Sequence, residues 1–225
     1  MQGAAFFDLD RTLISRSSSL ALAEPFYRRG LIGRSQLAKA RVAQLLFVRA
    51  GAGHGRAGQT ADAGMSILKG LRVEILQGIV EDAWRPVLRP LVYREALDAA
   101  EAHSARGEPV FILSGALQEV VDRLATELGF AGALGSRAEV VDGVYTGRLG
   151  RRLLGVEKAT GLGEIAAAES LDLAASTAYS DSHSDIPFLE AVGTPIAVNP
   201  DRELRRVAGD RGWAVRWFRE QLGST

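Results

Sequence analysis

The sequence contains no cysteine, so disulfide bonds, thiolate nucleophiles and thiolate metal ligands are all excluded. It also lacks an excess of charge, because 27 Lys and Arg residues balance 27 Asp and Glu residues. No net field would therefore draw the protein to nucleic acid or to an acidic membrane surface. No apolar run approaches the roughly 20 residues of a membrane-spanning helix. We expect no nucleic-acid partner and no stable membrane insertion.

The N-terminal segment has neither the basic leader nor the small-residue cleavage site of a signal peptide. Together with the lack of cysteine, this predicts a cytoplasmic protein. The 225 residues suffice for one ordinary domain that carries a smaller insert. Nothing in the sequence indicates the oligomeric state.

Four short apolar segments, each ending at polar residues, are typical of buried parallel strands. They span residues 3–8, 109–114, 176–180 and 195–198. Helical patterns alternate with them, for example at 117–128, where Gly129 is a stop signal, and from about 158 to 169. This alternation predicts an α/β fold with a doubly wound parallel sheet. In such sheets the ligand binds beyond the carboxyl ends of the strands.

Two stretches interrupt the alternation. Residues 15–90 show helical spacing around 38–46 and 73–83, with a Gly-rich link at 51–58. This stretch is far longer than a normal strand-to-helix connection, so it predicts an inserted helical cap. The expected division is a catalytic core of residues 1–14 and 91–225 and a cap of residues 15–90. The second interruption, Asp142-Gly143 between β-forming residues, predicts a hairpin.

The most informative segment follows the first strand and reads Asp8-Leu9-Asp10-Arg11-Thr12. Two carboxylates at the end of a buried strand suit a cation and an anionic substrate. The alternative interpretation is a surface turn, which is common for an isolated Asp-x-Asp. The paired acids Asp181 and Asp185 after another strand make the catalytic interpretation more specific.

On these residues the whole chain resembles the haloacid dehalogenase superfamily, and within it the phosphoserine-phosphatase-like branch, subfamily IB. Four motifs of that family occur in the expected order: Asp8-Leu9-Asp10-Arg11-Thr12, Leu113-Ser114-Gly115, Lys158, and Tyr179-Ser180-Asp181-Ser182-His183-Ser184-Asp185. The resemblance implies a Rossmann-like core with a cap inserted after the first motif. It also implies a phosphatase that acts on a small-molecule phosphate ester.

The resemblance implies a role for each matching residue. Asp8 would be the nucleophile that forms an aspartyl phosphate, and Asp10 the general acid and base. Mg²⁺ would be held by the carboxylates of Asp8 and Asp181 and the backbone carbonyl of Asp10. The remaining residues would bind the substrate phosphate (Ser114, Gly115 and Lys158) or support the site (Asp185 and Thr12). Lys158 is one of only three lysines, the others being Lys39 and Lys69.

The substrate stays open at this point. Phosphoserine phosphatases bind their substrate with a glutamate and an arginine of the cap, and our alignment places Ser17 and Gly64 at those positions. Substitutes could come from elsewhere in the cap (Glu24, Arg28, Arg41 or Arg49). A lipid-precursor ester is an alternative substrate, and a phosphotransferase or a non-catalytic phosphate-binding module is an alternative function. His183 could reach the substrate, but we expect a solvated loop residue, and His54 and His103 are assigned no role.

Overall fold

The computed structural model describes residues 2–50 and 65–223, with only the backbone described for residues 46–50. A seven-stranded sheet has the order β4-β3-β2-β1-β5-β6-β7. All neighbouring strands are parallel except β3 and β4, which form an antiparallel pair. The strands are β1 (Ala5–Phe7), β2 (Val110–Leu117), β3 (Gly132–Val141), β4 (Val144–Arg151), β5 (Thr177–Ser180), β6 (Thr194–Val198) and β7 (Ala214–Arg216).

Helices cover both faces of this sheet, which confirms the predicted doubly wound architecture. The helices are α1 (Ser18–Ala21), α2 (Ala23–Arg28), α3 (Arg34–Ala50), α4 (Val73–Ala83), α5 (Arg94–Ala105), α6 (Gln118–Leu128), α7 (Val156–Ala168), α8 (Ile186–Glu190) and α9 (Arg202–Arg211), and residues 65–68 are also helical. Because successive strand side chains point to opposite faces, Phe7 packs with α5 and α6 and Phe6 packs with α7, α8 and α9. Both phenylalanines are fully buried.

The strand register brings the polar strand ends to one edge. Phe7 is aligned with Ile112 of β2 and with Tyr179 of β5. The residues that follow, among them Asp8, Ser114 and Asp181, therefore lie at the carboxyl ends of three adjacent strands. This is the edge at which ligands bind in doubly wound sheets.

The second strand is longer than predicted, because β2 continues through Ser114 and Gly115 to Leu117. Its pairing with β3 shifts register between Leu113 and Leu117. Such bulges are frequent next to active sites, since they re-aim side chains without ending the strand. The sequence pattern missed this extension because the apolar run stops at Ser114.

Two turn predictions are confirmed. Asp142 and Gly143 connect β3 to β4 with positive φ angles of 50° and 76°, as a tight two-residue hairpin requires. Gly129 ends α6 in the left-handed region with φ 70°, where its N–H lies within reach of the last helical carbonyls.

Between β1 and α5, the described residues 15–50 and 65–91 form helices and turns, and no strand occurs among them. Helix α4 buries Leu76, Ile79 and Val80, and it leads into a π-helical turn at Trp84–Leu88 and a 3₁₀ turn at Arg89–Leu91. By contrast, Val42 and Leu45 of α3 are exposed. The Gly-rich link at 51–58 lies outside the described residues. The boundaries of a separate cap stay a prediction.

Among the helices that the structure describes, none combines the length and the apolar character needed to cross a membrane.

Candidate active site

The centre of the site is a buried ion pair between two strand ends and a helix. Asp8 follows β1, and its backbone N–H donates to the carbonyl of Tyr179 on β5. Lys158, on the first turn of α7, is 1% exposed. Its Nζ lies 2.6 Å from Oδ1 of Asp8 and 2.5 Å from Oδ2 of Asp185. The hydroxyl of Ser180 also donates to Oδ2 of Asp185, at 2.7 Å.

The charges in this pair are set by burial and by close partners. Burial raises the pKa of Asp8 to about 7, although the Lys158 ammonium opposes the rise. Burial alone would lower the pKa of Lys158, but Asp185 and Asp8 outweigh it and raise that pKa. Lys158 therefore stays charged and holds two carboxylates at once.

Asp10 is turned away from the strand by the loop that follows β1. Its Oδ1 accepts a hydrogen bond of 2.9 Å from the backbone N–H of Ser18, the first residue of α1. Burial raises the pKa of Asp10 to about 6, although the Ser18 N–H lowers it. Neighbouring carboxylates are not among the main causes of this rise.

Asp181 follows β5 and faces Arg11, which lies one residue after Asp10. The NH1 atom of Arg11 is 3.1 Å from Oδ2 of Asp181, and the two side chains are 16% and 6% exposed. Burial raises the pKa of Asp181 well above its ordinary value, while Arg11 lowers it. The carbonyl of Asp181 accepts a hydrogen bond from the N–H of Asp201.

His183 is held in place, so the expectation of a solvated loop histidine was wrong. Its backbone N–H and its Nδ1 lie 2.9 and 2.7 Å from Oδ2 of Asp201. The other oxygen of Asp201 caps α9 by accepting from the N–H of Leu204 at 2.8 Å. Burial opposes ionisation of Asp201, but the Leu204 and His183 donors lower its pKa. Asp201 thus ties the loop after β5 to the start of α9.

The predicted phosphate-binding residues lie in the irregular part of β2. Ser114 is buried, and its Oγ accepts from the N–H of Ala116 at 3.2 Å. The hydroxyl of Ser136 on β3 donates to the carbonyl of Gly115 at 2.9 Å and accepts from the N–H of Leu153. A Cβ atom at Gly115 would lie 2.7 Å from Cδ2 of Leu154, so the Leu154 side chain would have to move to admit it.

Thr12 is fully buried, and its hydroxyl makes no hydrogen bond with the part of the chain that the structure describes. Its backbone N–H donates to the carbonyl of Leu9 at 3.3 Å, which tightens the turn after β1. The support predicted for Thr12 thus involves its backbone, whereas Asp185 supports Lys158 through its side chain.

The helical segment presents neutral groups next to Asp10. Ser17 is buried and exchanges backbone hydrogen bonds with the side-chain amide of Gln44. Glu24 forms ion pairs with Arg28 and Arg41. Gly64 and the side chain of Arg49 lie outside the described residues.

Sequence reasoning missed three partners of site residues, namely Arg11 for Asp181, Ser18 for Asp10 and Asp201 for His183. It also missed His103, which is buried and whose Nε2 lies 2.8 Å from the hydroxyl of Tyr179. Only Asp201 had a local signal, because an Asp directly before a helix is a common N-cap. His54 lies outside the described residues.

The donor set fits a divalent cation. The four carboxylates of Asp8, Asp10, Asp181 and Asp185 outnumber the two cations Lys158 and Arg11 by two. Hard carboxylate and carbonyl oxygens are the ligands that Mg²⁺ prefers. In residues 2–50 and 65–223, no cluster of three or more His, Asp or Glu side chains forms a complete metal site. The predicted site needs only two side chains, because its third protein ligand is a backbone carbonyl.

Comparison with known proteins gives one family match, to the haloacid dehalogenase-like hydrolases over residues 5–190. A probable phosphatase of Mycobacterium tuberculosis is 40% identical over 215 residues, covering 96% of this chain and 75% of that protein. The phosphoserine phosphatase SerB1 of the same organism is 34% identical over 226 residues, covering 97% and 72%. A solved structure from Bordetella pertussis, of unknown function, is 30% identical with a TM-score of 0.79 and covers 96% of this chain and 98% of its own.

Proposed function

The chain belongs to the haloacid dehalogenase-like hydrolases, and within that family we propose that it is a magnesium-dependent phosphatase of small phosphate monoesters that forms an aspartyl phosphate on Asp8. The observation that carries this proposal is the buried Asp8 carboxylate at a strand end, held by Lys158 and followed two residues later by Asp10. The names of its relatives, a probable phosphatase and a phosphoserine phosphatase, support the same activity.

Asp8 is the nucleophile in this proposal. Lys158 fixes one oxygen of the carboxylate at 2.6 Å, so the other oxygen can face the phosphorus atom. In the first step a bond forms between this oxygen and phosphorus, and the bond between phosphorus and the ester oxygen breaks. In the second step water attacks the same phosphorus, releasing inorganic phosphate and restoring the Asp8 carboxylate.

Asp10 moves the protons of both steps. It gives its proton to the leaving ester oxygen and then takes one from the attacking water. The hydrogen bond from the Ser18 N–H orients its carboxyl group. A pKa of about 6 places both protonation states of Asp10 within reach near neutral pH.

The substrate phosphate would be bound by the hydroxyl of Ser114, the backbone N–H of Gly115 and the ammonium of Lys158. Gly115 lies three residues before the N-terminus of α6, and helix N-termini favour anions. Lys158 carries its charge on a flexible stem, which allows it to act as a point charge between Asp8 and the phosphate.

Mg²⁺ would be held by the carboxylates of Asp8 and Asp181 and by the carbonyl of Asp10. When bound, it neutralises the charge that otherwise repels an anionic phosphate from a carboxylate nucleophile. Asp185 keeps Lys158 in position, and the backbone of Thr12 tightens the turn that carries Asp10.

We further propose that residues 15–90 act as a cap that selects the substrate over a core formed by 1–14 and 91–225. The neutral pair of Ser17 and Gln44 lies beside the proposed acid, Asp10, so the cap can contact the leaving group. Phosphoserine is one candidate substrate, given the name of one relative, and a lipid-precursor phosphate is another.

Magnesium-dependent release of phosphate from a panel of natural phosphomonoesters, phosphoserine included, tests the proposal. The matched control is Asp8→Asn, which keeps the size of the side chain but removes the nucleophile. We expect turnover of at least one ester by the wild type and none by the variant. Equal rates for the two proteins would refute Asp8 as the nucleophile.

A further inference from the structure

Arg11 has an unusual backbone conformation for its residue type. Its φ angle is 66°, in the left-handed region that residues other than glycine seldom adopt. The amides of Thr12 and Leu13, directly after it, both donate to the carbonyl of Leu9. Such conformations persist where the surrounding structure enforces them, and they cluster at functional sites.

The side chain of Arg11 reaches from the loop after β1 to the loop after β5. Its NH1 atom lies 3.1 Å from Oδ2 of Asp181, and both side chains are largely withdrawn from water. A guanidinium cannot lose its proton, so this is a permanent charge beside a buried carboxylate. The two cations of the site contact three of its four acids, since Lys158 contacts Asp8 and Asp185 while Arg11 contacts Asp181.

Asp181 is also one of the two carboxylates assigned to Mg²⁺ in the proposed function, on which this inference rests. Mg²⁺ binds its oxygen ligands at short distances with strict geometry. A guanidinium on the same carboxylate would repel the cation and occupy one of its approaches. The Arg11 guanidinium and Mg²⁺ therefore compete for the carboxylate of Asp181.

We propose that Arg11 is a built-in counter-ion of Asp181 that Mg²⁺ displaces, so that Arg11 sets the affinity of the site for the metal. In the metal-free protein, Arg11 holds the Asp181 carboxylate in place and lowers the repulsion among the acids. Metal binding then includes the loss of the contact between Arg11 and Asp181, which weakens the apparent affinity.

The test is calorimetric titration of MgCl₂ into the substrate-free protein, supported by the rise in melting temperature at saturating MgCl₂. Arg11→Gln removes the charge and keeps part of the side chain, and Arg11→Lys keeps the charge. The control is Arg29→Gln, which removes one positive charge from an exposed ion pair with Asp82. We expect Arg11→Gln to bind Mg²⁺ about tenfold more tightly, and Arg11→Lys and Arg29→Gln to resemble the wild type.

Unchanged or weaker Mg²⁺ binding by Arg11→Gln would overturn the inference and leave the proposed function standing. A wild type that binds no Mg²⁺ would overturn the inference together with the proposed metal site. Arg11→Gly provides a second charge-free variant, because glycine adopts a φ of 66° without strain. It is expected to show the same tighter binding, and a loss of affinity in Arg11→Gly would contradict the displacement.

Discussion

Lys158 and Asp8 lie 150 positions apart in the sequence, yet Nζ of Lys158 is 2.6 Å from Oδ1 of Asp8. The same ammonium contacts Asp185, and it is almost completely buried. A buried charge with two carboxylate partners cannot be removed without leaving those partners uncompensated. Both the stability of the fold and the proposed chemistry therefore depend on the ion pair between Lys158 and Asp8.

Replacing Lys158 by methionine should lower kcat by at least about 10²-fold, because a donor to the developing charge is lost. It should also lower the melting temperature, since Asp8 and Asp185 would stay buried without their cation. Phosphate release and thermal unfolding measure the two effects. The matched control is Lys39→Met on the exposed surface of α3, which should leave both unchanged. A Lys158→Met enzyme with normal turnover would show that the ammonium is not needed.

The effect of Asp10→Asn should depend on the leaving group. An alkyl phosphate needs a proton on its leaving oxygen, so its turnover should fall by about 10²–10⁴-fold. The leaving group of p-nitrophenyl phosphate, p-nitrophenolate, departs as a stable anion without a proton, so formation of the aspartyl phosphate from this substrate should be slowed much less. Pre-steady-state release of p-nitrophenol separates this step from the later attack by water. An equal loss of the first step for both substrates would argue against Asp10 as the acid.

The network of hydrogen bonds around His103 contributes stability that depends on pH. Glu108 lies 2.5 Å from Nδ1 of His103 and also pairs with Arg106, and hydrogen bonds from Arg106 and His103 lower the pKa of Glu108 to about 2. A depressed carboxyl pKa stabilises the fold above the unfolded pKa of about 4.5, and this stability is lost as the pH falls towards 2.

Glu108→Gln should therefore cost about 1–2 kcal/mol of unfolding free energy at pH 7 and at pH 5. The difference from the wild type should shrink steadily below pH 4.5, because the stability that the ionised Glu108 carboxylate contributes to the wild type is lost in that range. Urea unfolding at pH 7, 5 and 3.5 measures the trend. A difference that grows on acidification would give the opposite sign and contradict the assignment.

Gly193→Ala tests the fold independently of the chemistry. A Cβ atom at Gly193 would overlap the carbonyl oxygen of Ala174, which is backbone and cannot swing away. We expect a loss of at least about 2 kcal/mol in unfolding free energy. Gly163→Ala, in the middle of α7 with open space around it, is the control and should stabilise the protein by about 0.5–1 kcal/mol. Equal effects at the two positions would mean that the packing around Gly193 is looser than described.

The sheet and the central acids could be predicted because each is encoded locally. An apolar run that stops at Asp8 or at Asp181 marks both a buried strand and the site at its end. The hairpin at Asp142 and Gly143 is equally local, since only a few residues tolerate its backbone angles.

The remaining contacts could not be predicted, because they join segments that the sequence does not relate. His103 and Tyr179 are 76 positions apart, and His183 meets Asp201 only once β6 has returned beside β5. The partner of Arg11 depends on the backbone conformation of the turn after Asp10, and hydrophobic periodicity does not predict that conformation. The cause of the raised pKa of Asp10 likewise required its burial to be known.

The bulge in β2 has a consequence for the thermodynamics of binding. Ser136 holds the carbonyl of Gly115, and a side chain at Gly135 would collide with the backbone of Ala116 and Gln118. The irregular part of β2 that is proposed to bind phosphate is therefore held in shape by β3 in the absence of substrate. Little conformational entropy is lost when an anion binds there, so free phosphate should bind nearly as well as the phosphate of an ester. The enzyme should accordingly be inhibited by its own product, and any preference for the ester would have to come from contacts with the proposed cap.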